Sequence, residues 1–182
     1  MPELVLPDVA IQRSFLAAMA EFRAEGRGAE DDLSMIGNEL RGFSATWDSE
    51  GGFADYLAAL RADADPDHPR PADRVACTSW WWVEGTEYLG RIAVRHRLTD
   101  CLRVAGGHIG YDIRPTARRS GHATAMLRAV LPEALALGVK PAALVTIDPD
   151  NVGSRKATEA NGGVLEDVGG PFGLCRYWIP TS

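Results

Sequence analysis

Apolar side chains recur with one period before residue 74 and with another after it. Over residues 9–25 and 53–61 they recur every three or four positions, which is the period of a helix with one buried face. The pattern predicts a helix in each of these segments. Residues 27–50 are mixed and contain glycine, so we interpret them as a loop with room for one helical turn. Residues 62–72 contain three prolines and three acidic residues, which predicts a second loop.

After residue 74 the pattern predicts a sheet. β-Branched and aromatic residues dominate residues 74–83 and 87–97 on either side of a compact turn, which is typical of an antiparallel hairpin. The further elements predicted are strand 108–114, helix 121–137 with a bend at Pro132, strand 142–147, helix 151–161 and a last strand within 174–179. A strand, a crossover helix and a second strand form a right-handed parallel unit, so we expect one parallel pair in an otherwise antiparallel sheet. The predicted fold class is mixed α/β, as one domain over residues 1–182, with a helical portion over 1–70 and the sheet over 74–179.

Composition and charge exclude several classes of protein. With 182 residues, 46 % of them hydrophobic and 24 % charged, the chain matches an ordinary globular domain. The net charge of −6 disfavours nucleic acid or an anionic membrane surface as a partner. No apolar run approaches the ~20 residues that span a bilayer, and the N-terminus lacks the basic start and cleavage site of a signal peptide. Cys77, Cys101 and Cys175 lie far apart, which predicts reduced thiols in a cytoplasmic protein and no metal site.

The junction between a predicted strand and the helix that begins at Gly121 favours anion binding. The first turn of a helix leaves about four N–H groups unpaired, and the helix dipole adds roughly half a positive charge there. Gly121 and Ala123 let a ligand approach the backbone, and Arg118 and Arg119 add positive charge. These features suit a pyrophosphate, although an ordinary solvated loop would have the same residues. The phosphate-binding strings GxxxxGK[ST] and GxGxxG are both absent.

Two motifs resemble the GNAT superfamily of N-acetyltransferases. The family signature Gln/Arg-x-x-Gly-x-Gly/Ala is present as Arg-Arg-Ser-Gly-His-Ala over residues 118–123. About thirty residues later, a helix that opens with Asn-x-x-Ser at Asn151 and ends at Gly162 is similar to the family's second motif. The resemblance extends over residues 80–178. It implies a splayed central parallel pair flanked by helices, acetyl-CoA as co-substrate, no metal, and direct attack by an amine of a small molecule or peptide.

The resemblance also implies a role for each position of these motifs. The backbone around the first motif would bind the CoA pyrophosphate, with Arg118, Arg119, Ser120, Gly121, His122, Ala123 and Thr124 as the expected residues. The pantetheine arm would lie along Tyr111 to Ile113, with the amide near Ile113 as oxyanion donor and Asn151 as a hydrogen-bonding partner. Ser154 would lie near the thiol. Asn151 and Ser154 would equally serve to cap their helix, and Arg155 and Lys156 would reach the CoA phosphates or form a solvated face.

The acceptor amine must lose a proton, so the site needs a base. Asp112 and His108 share a strand face by the two-residue period, and we expect one of them to act, directly or through water. His96 lies on the neighbouring predicted strand. Ser154 is the third candidate catalytic residue. For each histidine, a polar packing role is the alternative.

The proton donor for the departing thiolate is unassigned. In the family it is often a tyrosine in the last helix, and our alignment places Thr158 there. Tyr111 and Tyr177 are candidate replacements, although either would equally pack the sheet. The missing tyrosine favours an alternative function, a non-catalytic module that binds or senses CoA.

Trp80, Trp81 and Trp82 stand in succession on the first strand of the predicted hairpin. Side chains alternate between faces along a strand, so one or two rings should enter the core and the other should face solvent or a pocket. Core packing with a buried dimer edge is favoured over an aromatic substrate wall, because aromatic residues dominate buried and interface area. A homodimer is therefore expected. A scaffold whose sheet edge and tryptophans bind a protein partner is a further alternative.

Overall fold

The computed structural model describes residues 1–32 and 34–181, which form six α-helices and seven strands. The helices are α1 Gln12–Ala24, α2 Met35–Phe43, α3 Glu50–Ala64, α4 Asp100–Val104, α5 His122–Ala136 and α6 Val152–Glu159. The strands are β1 Glu3–Val5, β2 Cys77–Glu84, β3 Glu87–Arg95, β4 Ile109–Ile113, β5 Ala142–Ile147, β6 Val164–Gly169 and β7 Leu174–Pro180. The mixed α/β class is thereby confirmed.

The strands form two antiparallel sheets that meet at one seam. The first sheet has the order β1-β2-β3-β4 and the second has the order β5-β7-β6. The His108 N–H, just before β4, donates to the Leu144 carbonyl of β5 at 2.7 Å. Gly107 (φ 60°) permits this approach, because a Cβ there would lie 2.4 Å from the Leu144 oxygen. No ladder joins β4 and β5 within the described chain, so their parallel pairing stays a prediction.

Helices cover both faces of the four-stranded sheet, so all three tryptophans are buried. Trp80 and Trp82 pack in one core with α5, and Trp81 packs in a second core with α1, α2 and α3. The alternation along β2 is as expected, and core packing is confirmed. The expectation that one ring faces solvent or a pocket is wrong, because the N-terminal helices cover the second face. The expected homodimer stays a prediction.

The interpretation of residues 27–50 as a loop with one helical turn is wrong over Met35–Phe43, which form a helix of nine residues. Leu33 lies outside the described residues. This segment contains α2 and the first residue of α3, which also extends beyond the predicted 53–61. Ser34 and Ser49 cap the two helices by accepting hydrogen bonds from Gly37 N and Gly52 N at 3.0 and 3.1 Å. The glycines inside both helices concealed them, because glycine is a poor helix former.

Other elements differ from the sequence pattern in smaller ways. Strands β1 and β6 and helix α4 were not predicted, and β1 and α4 have only three and five residues. β5 has the predicted bounds, and α5 continues past Pro132 to Ala136. No helix in the described part of the chain combines the length and the apolar character that a membrane span requires.

Candidate active site

A cleft of about 250 Å³ separates β4 from β5, and we call it the β4–β5 cleft. Its lining comes from the two strands, from the start of α6 and from the segment that leads into α2. The side chains of interest here are those of Ser34, Met35, Tyr111, Asp112, Thr146 and Ser154. Ser34 and Met35 lie in the segment interpreted as a loop, so sequence reasoning missed them. The sequence signal for a helix start there was Ser34, a residue type that often caps helices, directly before the apolar residues Met35 and Ile36.

Helix α5 begins beside this cleft with an arrangement that favours anions. Gly121, the residue before the first turn, has φ 79°, and no side chain caps the helix. Arg119 has φ 63°, so two of three successive residues adopt the left-handed conformation. Backbone N–H groups converge in such turns and form a concave anion-binding site. Gly121 is exposed and a Cβ there would meet nothing within 4 Å, so glycine is needed for the backbone conformation.

The two arginines of this loop differ in their partners. Arg118 donates to both carboxylate oxygens of Glu25, just after α1, at 2.8 Å, and its Nε donates to the Ile113 carbonyl at 3.2 Å. These bonds hold the loop against α1. Arg119 is exposed and has no hydrogen bond or ion pair with any described residue. Of the two, Arg119 is therefore the cation available to a ligand.

A side chain of the four-stranded sheet orients the first residue of α5, His122. Trp82 Nε1 donates to His122 Nδ1 at 3.3 Å, and Trp82 itself is buried in the core beneath α5. Ala123 and Thr124 follow on the same turn and are half-buried, whereas Ser120 before the helix is exposed. Residues 118–124 thus form the loop and the first turn at the N-terminus of α5, and the exposed part of this segment is Arg118 to Gly121.

Tyr111 and Ser154 are in contact inside the cleft. Their hydroxyl oxygens lie 2.6 Å apart, and the phenol also donates to the Ser154 carbonyl at 3.3 Å. Thr158, one turn further along α6, is fully buried, and its hydroxyl has no hydrogen-bond partner among the described residues. Burial raises the pKa of Tyr111, and the hydrogen bond with Ser154 opposes this rise only in part. The phenol of β4 therefore reaches α6 in its protonated form.

Asn151 caps α6, as the structural alternative predicted. Its Oδ1 accepts from Ser154 N at 3.1 Å, and its side chain is exposed at the edge of the cleft. The predicted contacts of Asn151 and Ser154 with CoA stay predictions. Arg155 donates to the Tyr177 hydroxyl at 3.3 Å and to the Pro149 carbonyl at 3.2 Å, so it faces the sheet.

Asp112 and His108, the two candidate bases, lie at different cavities. Asp112 lines the β4–β5 cleft and accepts from Arg27 Nη2 at 3.0 Å. His108 lines a second cavity, and its Nδ1 accepts from Leu144 N at 2.9 Å. Burial, with smaller effects of Arg103 and Arg95, lowers the pKa of His108 to about 4. The structure therefore brings Asp112 close to Tyr111 and Ser154 and holds His108 at the seam of the sheets.

The remaining candidates lie outside the cleft. His96 Nε2 is 2.8 Å from the Thr78 hydroxyl, and its ring lines the same cavity as His108. The Tyr177 hydroxyl donates to Glu159 at 2.8 Å and is not among the groups that line the cleft. Within residues 1–32 and 34–181, no three His, Cys, Asp or Glu side chains are grouped as a metal site would require.

One comparison with known proteins shows a family. Residues 40–164 match the family model described as an acetyltransferase (GNAT) domain. No curated protein sequence matches the chain.

Solved structures share the fold at low sequence identity. The microcin C7 self-immunity acetyltransferase MccE, solved with acetyl-CoA and AMP, has a TM-score of 0.65 and 12 % identity over 98 % of this chain and 92 % of its own. RimJ of Mycobacterium smegmatis, solved with CoA-disulfide, has a TM-score of 0.65 and 16 % identity over 98 % of this chain and 80 % of its own. A putative ribosomal-protein-serine acetyltransferase from Vibrio cholerae has a TM-score of 0.59 and 13 % identity over 98 % and 93 %.

Proposed function

The chain belongs to the GNAT family of acetyltransferases, and we propose that it transfers an acetyl group from acetyl-CoA to an amine that attacks the thioester directly. The observation that carries this proposal is the uncapped start of α5, with Arg119 and Gly121 in the left-handed conformation beside the β4–β5 cleft. The acceptor is an amine of a small molecule or a peptide.

The co-substrate fits two adjoining features. The backbone amides of residues 119–124 would bind the CoA pyrophosphate, helped by the free guanidinium of Arg119. The pantetheine arm would enter the β4–β5 cleft, where β4 lacks a ladder partner on its β5 side and where an extended ligand can bond to the main chain. The Ile113 amide would then face the thioester carbonyl. Acetyl-CoA bound to MccE and CoA-disulfide bound to RimJ support this choice of co-substrate.

Tyr111 is the proton donor that the geometry supports best. As the amine nitrogen bonds to the acetyl carbon, the carbon–sulfur bond breaks and the sulfur needs a proton. The Tyr111 phenol is protonated and touches Ser154, the residue expected near the thiol. It would give its proton to the sulfur directly or through the Ser154 hydroxyl. A phenol carried on β4 would thus replace the family's tyrosine, which is Thr158 in this chain.

Asp112 is the base that the geometry supports for the amine proton. Of the two predicted bases it is the one that lines the cleft, and its bond to Arg27 keeps the carboxylate in place. A carboxylate at this point would also attract a cationic amine. His108 is engaged with the Leu144 amide at the other cavity, and we assign it no proton-transfer step.

The catalytic experiment measures CoA release over a panel of amines. Replacing Tyr111 with Phe should lower kcat about 100-fold and leave the KM for acetyl-CoA within about twofold, because general-acid catalysis contributes at least that much. Tyr177→Phe is the matched control, since its hydroxyl bonds to Glu159 and Arg155 outside the cleft. Equal kcat values for the two variants would exclude Tyr111 as the donor.

The binding experiment compares two glycines at opposite ends of α5. Gly121 and Gly138 have φ 79° and 86°, and a Cβ would meet nothing within 4 Å at either. Alanine at each should therefore destabilise the protein by a similar amount, about 1 kcal/mol. We expect calorimetry to show weaker binding of acetyl-CoA only for Gly121→Ala. Equal affinities for the two variants would contradict the pyrophosphate site.

Thr158 supports one second candidate, a module that binds CoA without catalysis. That candidate requires acetyl-CoA to bind while no amine of the panel releases CoA. A single amine acetylated with turnover would end it.

A further inference from the structure

A second cavity, of about 640 Å³, lies where β4 and β5 begin, and we call it the basal cavity. It shares no lining residue with the β4–β5 cleft. The polar and aromatic side chains that line it are those of His96, Arg97, Arg103, His108, Lys140 and Trp178. The lining includes no acidic residue. The cavity is thus larger than the cleft and has the opposite charge from the chain as a whole.

The side chains of its three cations have no partners among the described residues. Arg97, Arg103 and Lys140 are exposed, and the charged group of each has no hydrogen bond or ion pair with a described residue. Several other arginines of the chain are paired, for example Arg114 with Glu21 and Arg176 with Asp167. In a protein of net charge −6, three unpaired cations around one cavity leave a locally positive site.

His108 adds a directed donor to this positive site. The residue is 8 % exposed, and its Nδ1 accepts a hydrogen bond from Leu144 N. Because its pKa is lowered to about 4, the ring is neutral at pH 7 and carries its hydrogen on Nε2. Nε2 has no partner among the described residues. The cavity therefore presents an unused N–H group beside its cations.

Trp178 supplies an apolar wall next to that donor. Its ring centroid lies 6.4 Å from that of His108 at an interplanar angle of 63°. The indole is half-buried, so part of it faces the cavity. A flat apolar group can lie against this ring while its charged group reaches the cations.

We propose that the basal cavity binds a small aromatic anion, a carboxylate or a monophosphate, at a site separate from that of acetyl-CoA. The anionic group is held by Arg97, Arg103, Lys140 and His108 Nε2–H, and the ring lies on Trp178. Arg103 and His108 lie next to the four-stranded sheet, Arg103 in α4 and His108 just before β4. Lys140 lies just before β5 of the three-stranded sheet, and Trp178 lies in β7 of that sheet. The ligand therefore bridges the two sheets at their seam.

The test uses phenyl phosphate and benzoate as probes, measured by calorimetry and by the shift in melting temperature. At least one aromatic anion should bind and raise the melting temperature, and the stronger of the two identifies the anionic group. Inorganic phosphate should bind more weakly, and benzyl alcohol, which lacks the charge, should not bind measurably. Absence of binding by both aromatic anions would overturn the proposal.

Variants locate the binding. Arg103→Gln and Lys140→Gln should each weaken binding about fivefold or more, because each removes one charge-assisted contact. Arg13→Gln is the matched control, since Arg13 is exposed on α1 and has no partner among the described residues. Saturating acetyl-CoA should leave the affinity for the aromatic anion unchanged. Displacement by acetyl-CoA, or equal binding by all three variants, would overturn the proposal and would leave the proposed transferase activity untouched.

Discussion

The two faces of the four-stranded sheet are packed with different kinds of side chain. Beneath α1, α2 and α3 the core is aromatic, and the Phe15 ring lies 4.9 to 5.5 Å from five others, those of Trp47, Phe53, Tyr56, Trp81 and Tyr88. Beneath α5 the core is mainly aliphatic, with Ile92, Val94, Leu127 and Val130 among its members. The proposed pyrophosphate site lies beside the second face, because α5 carries it.

The two faces also differ in whether their charged groups are buried or accessible. The aromatic face buries an ion pair between Arg91, which is 2 % exposed, and Glu39, which is 9 % exposed. Tyr56 donates to Glu39 at 3.0 Å, and Arg91 donates to Ser79 at 3.2 Å. Burial raises the pKa of Glu39, and Arg91 opposes that rise. By contrast, the polar groups of the proposed site lie at the edge of the sheet, where a ligand can reach them. The buried charges belong to the packing of the fold, and the accessible charges belong to the proposed site.

The largest expected effect comes from breaking the buried pair. Arg91→Ala should lower the free energy of unfolding by about 3–5 kcal/mol, because it leaves the Glu39 carboxyl buried without its partner. Urea unfolding measures this change. The double variant Arg91→Met with Glu39→Leu should recover a large part of the loss, since it removes both charges. A single variant as stable as the parent would show that the pair is dispensable.

The second prediction compares a leucine-to-alanine substitution on each of the two faces. Leu127 on α5 and Leu57 on α3 are 0 % and 3 % exposed, and alanine at either should lower the free energy of unfolding by about 3 kcal/mol. Only Leu127→Ala should also raise the Kd for acetyl-CoA, because Leu127 holds the helix whose first turn forms the proposed pyrophosphate site. Equal Kd values, measured by calorimetry well below both melting temperatures, would argue against a division of labour between the faces.

The smallest effect concerns the seam where the two sheets join. His108 has a pKa of about 4 in the folded protein and about 6.5 when unfolded. The contribution of the neutral ring to stability is complete above pH 6.5 and is lost as the pH falls toward 4, because the unfolded chain binds the proton more tightly. Between pH 6.5 and pH 4 the free energy of unfolding of the parent should therefore fall. In His108→Asn we expect this fall to be smaller by about 2 kcal/mol, because asparagine does not bind the proton. Parallel pH profiles from urea unfolding would contradict the shifted pKa.

Local patterns in the sequence predicted local structure well. The bounds of β5 and the start of α5 follow from apolar runs and from Gly121, and the family follows from two short motifs at the right separation. Glycines within α2 weakened the helical pattern, so the part of the cleft lining that Ser34 and Met35 supply was missed. The site residues were named in part, but their grouping was not.

Periodicity, composition and the two motifs determined the fold class, the family and the loop expected to bind pyrophosphate, because each depends on residues close together along the chain. Only the tertiary structure decided which candidates meet. Tyr111 reaches Ser154 across 43 positions, and Arg118 reaches Glu25 across 93. It also separated His108 from Asp112, although they are four residues apart on the predicted strand. Such contacts depend on how helices and sheets pack, and packing distance is not encoded in the spacing of residues along the chain.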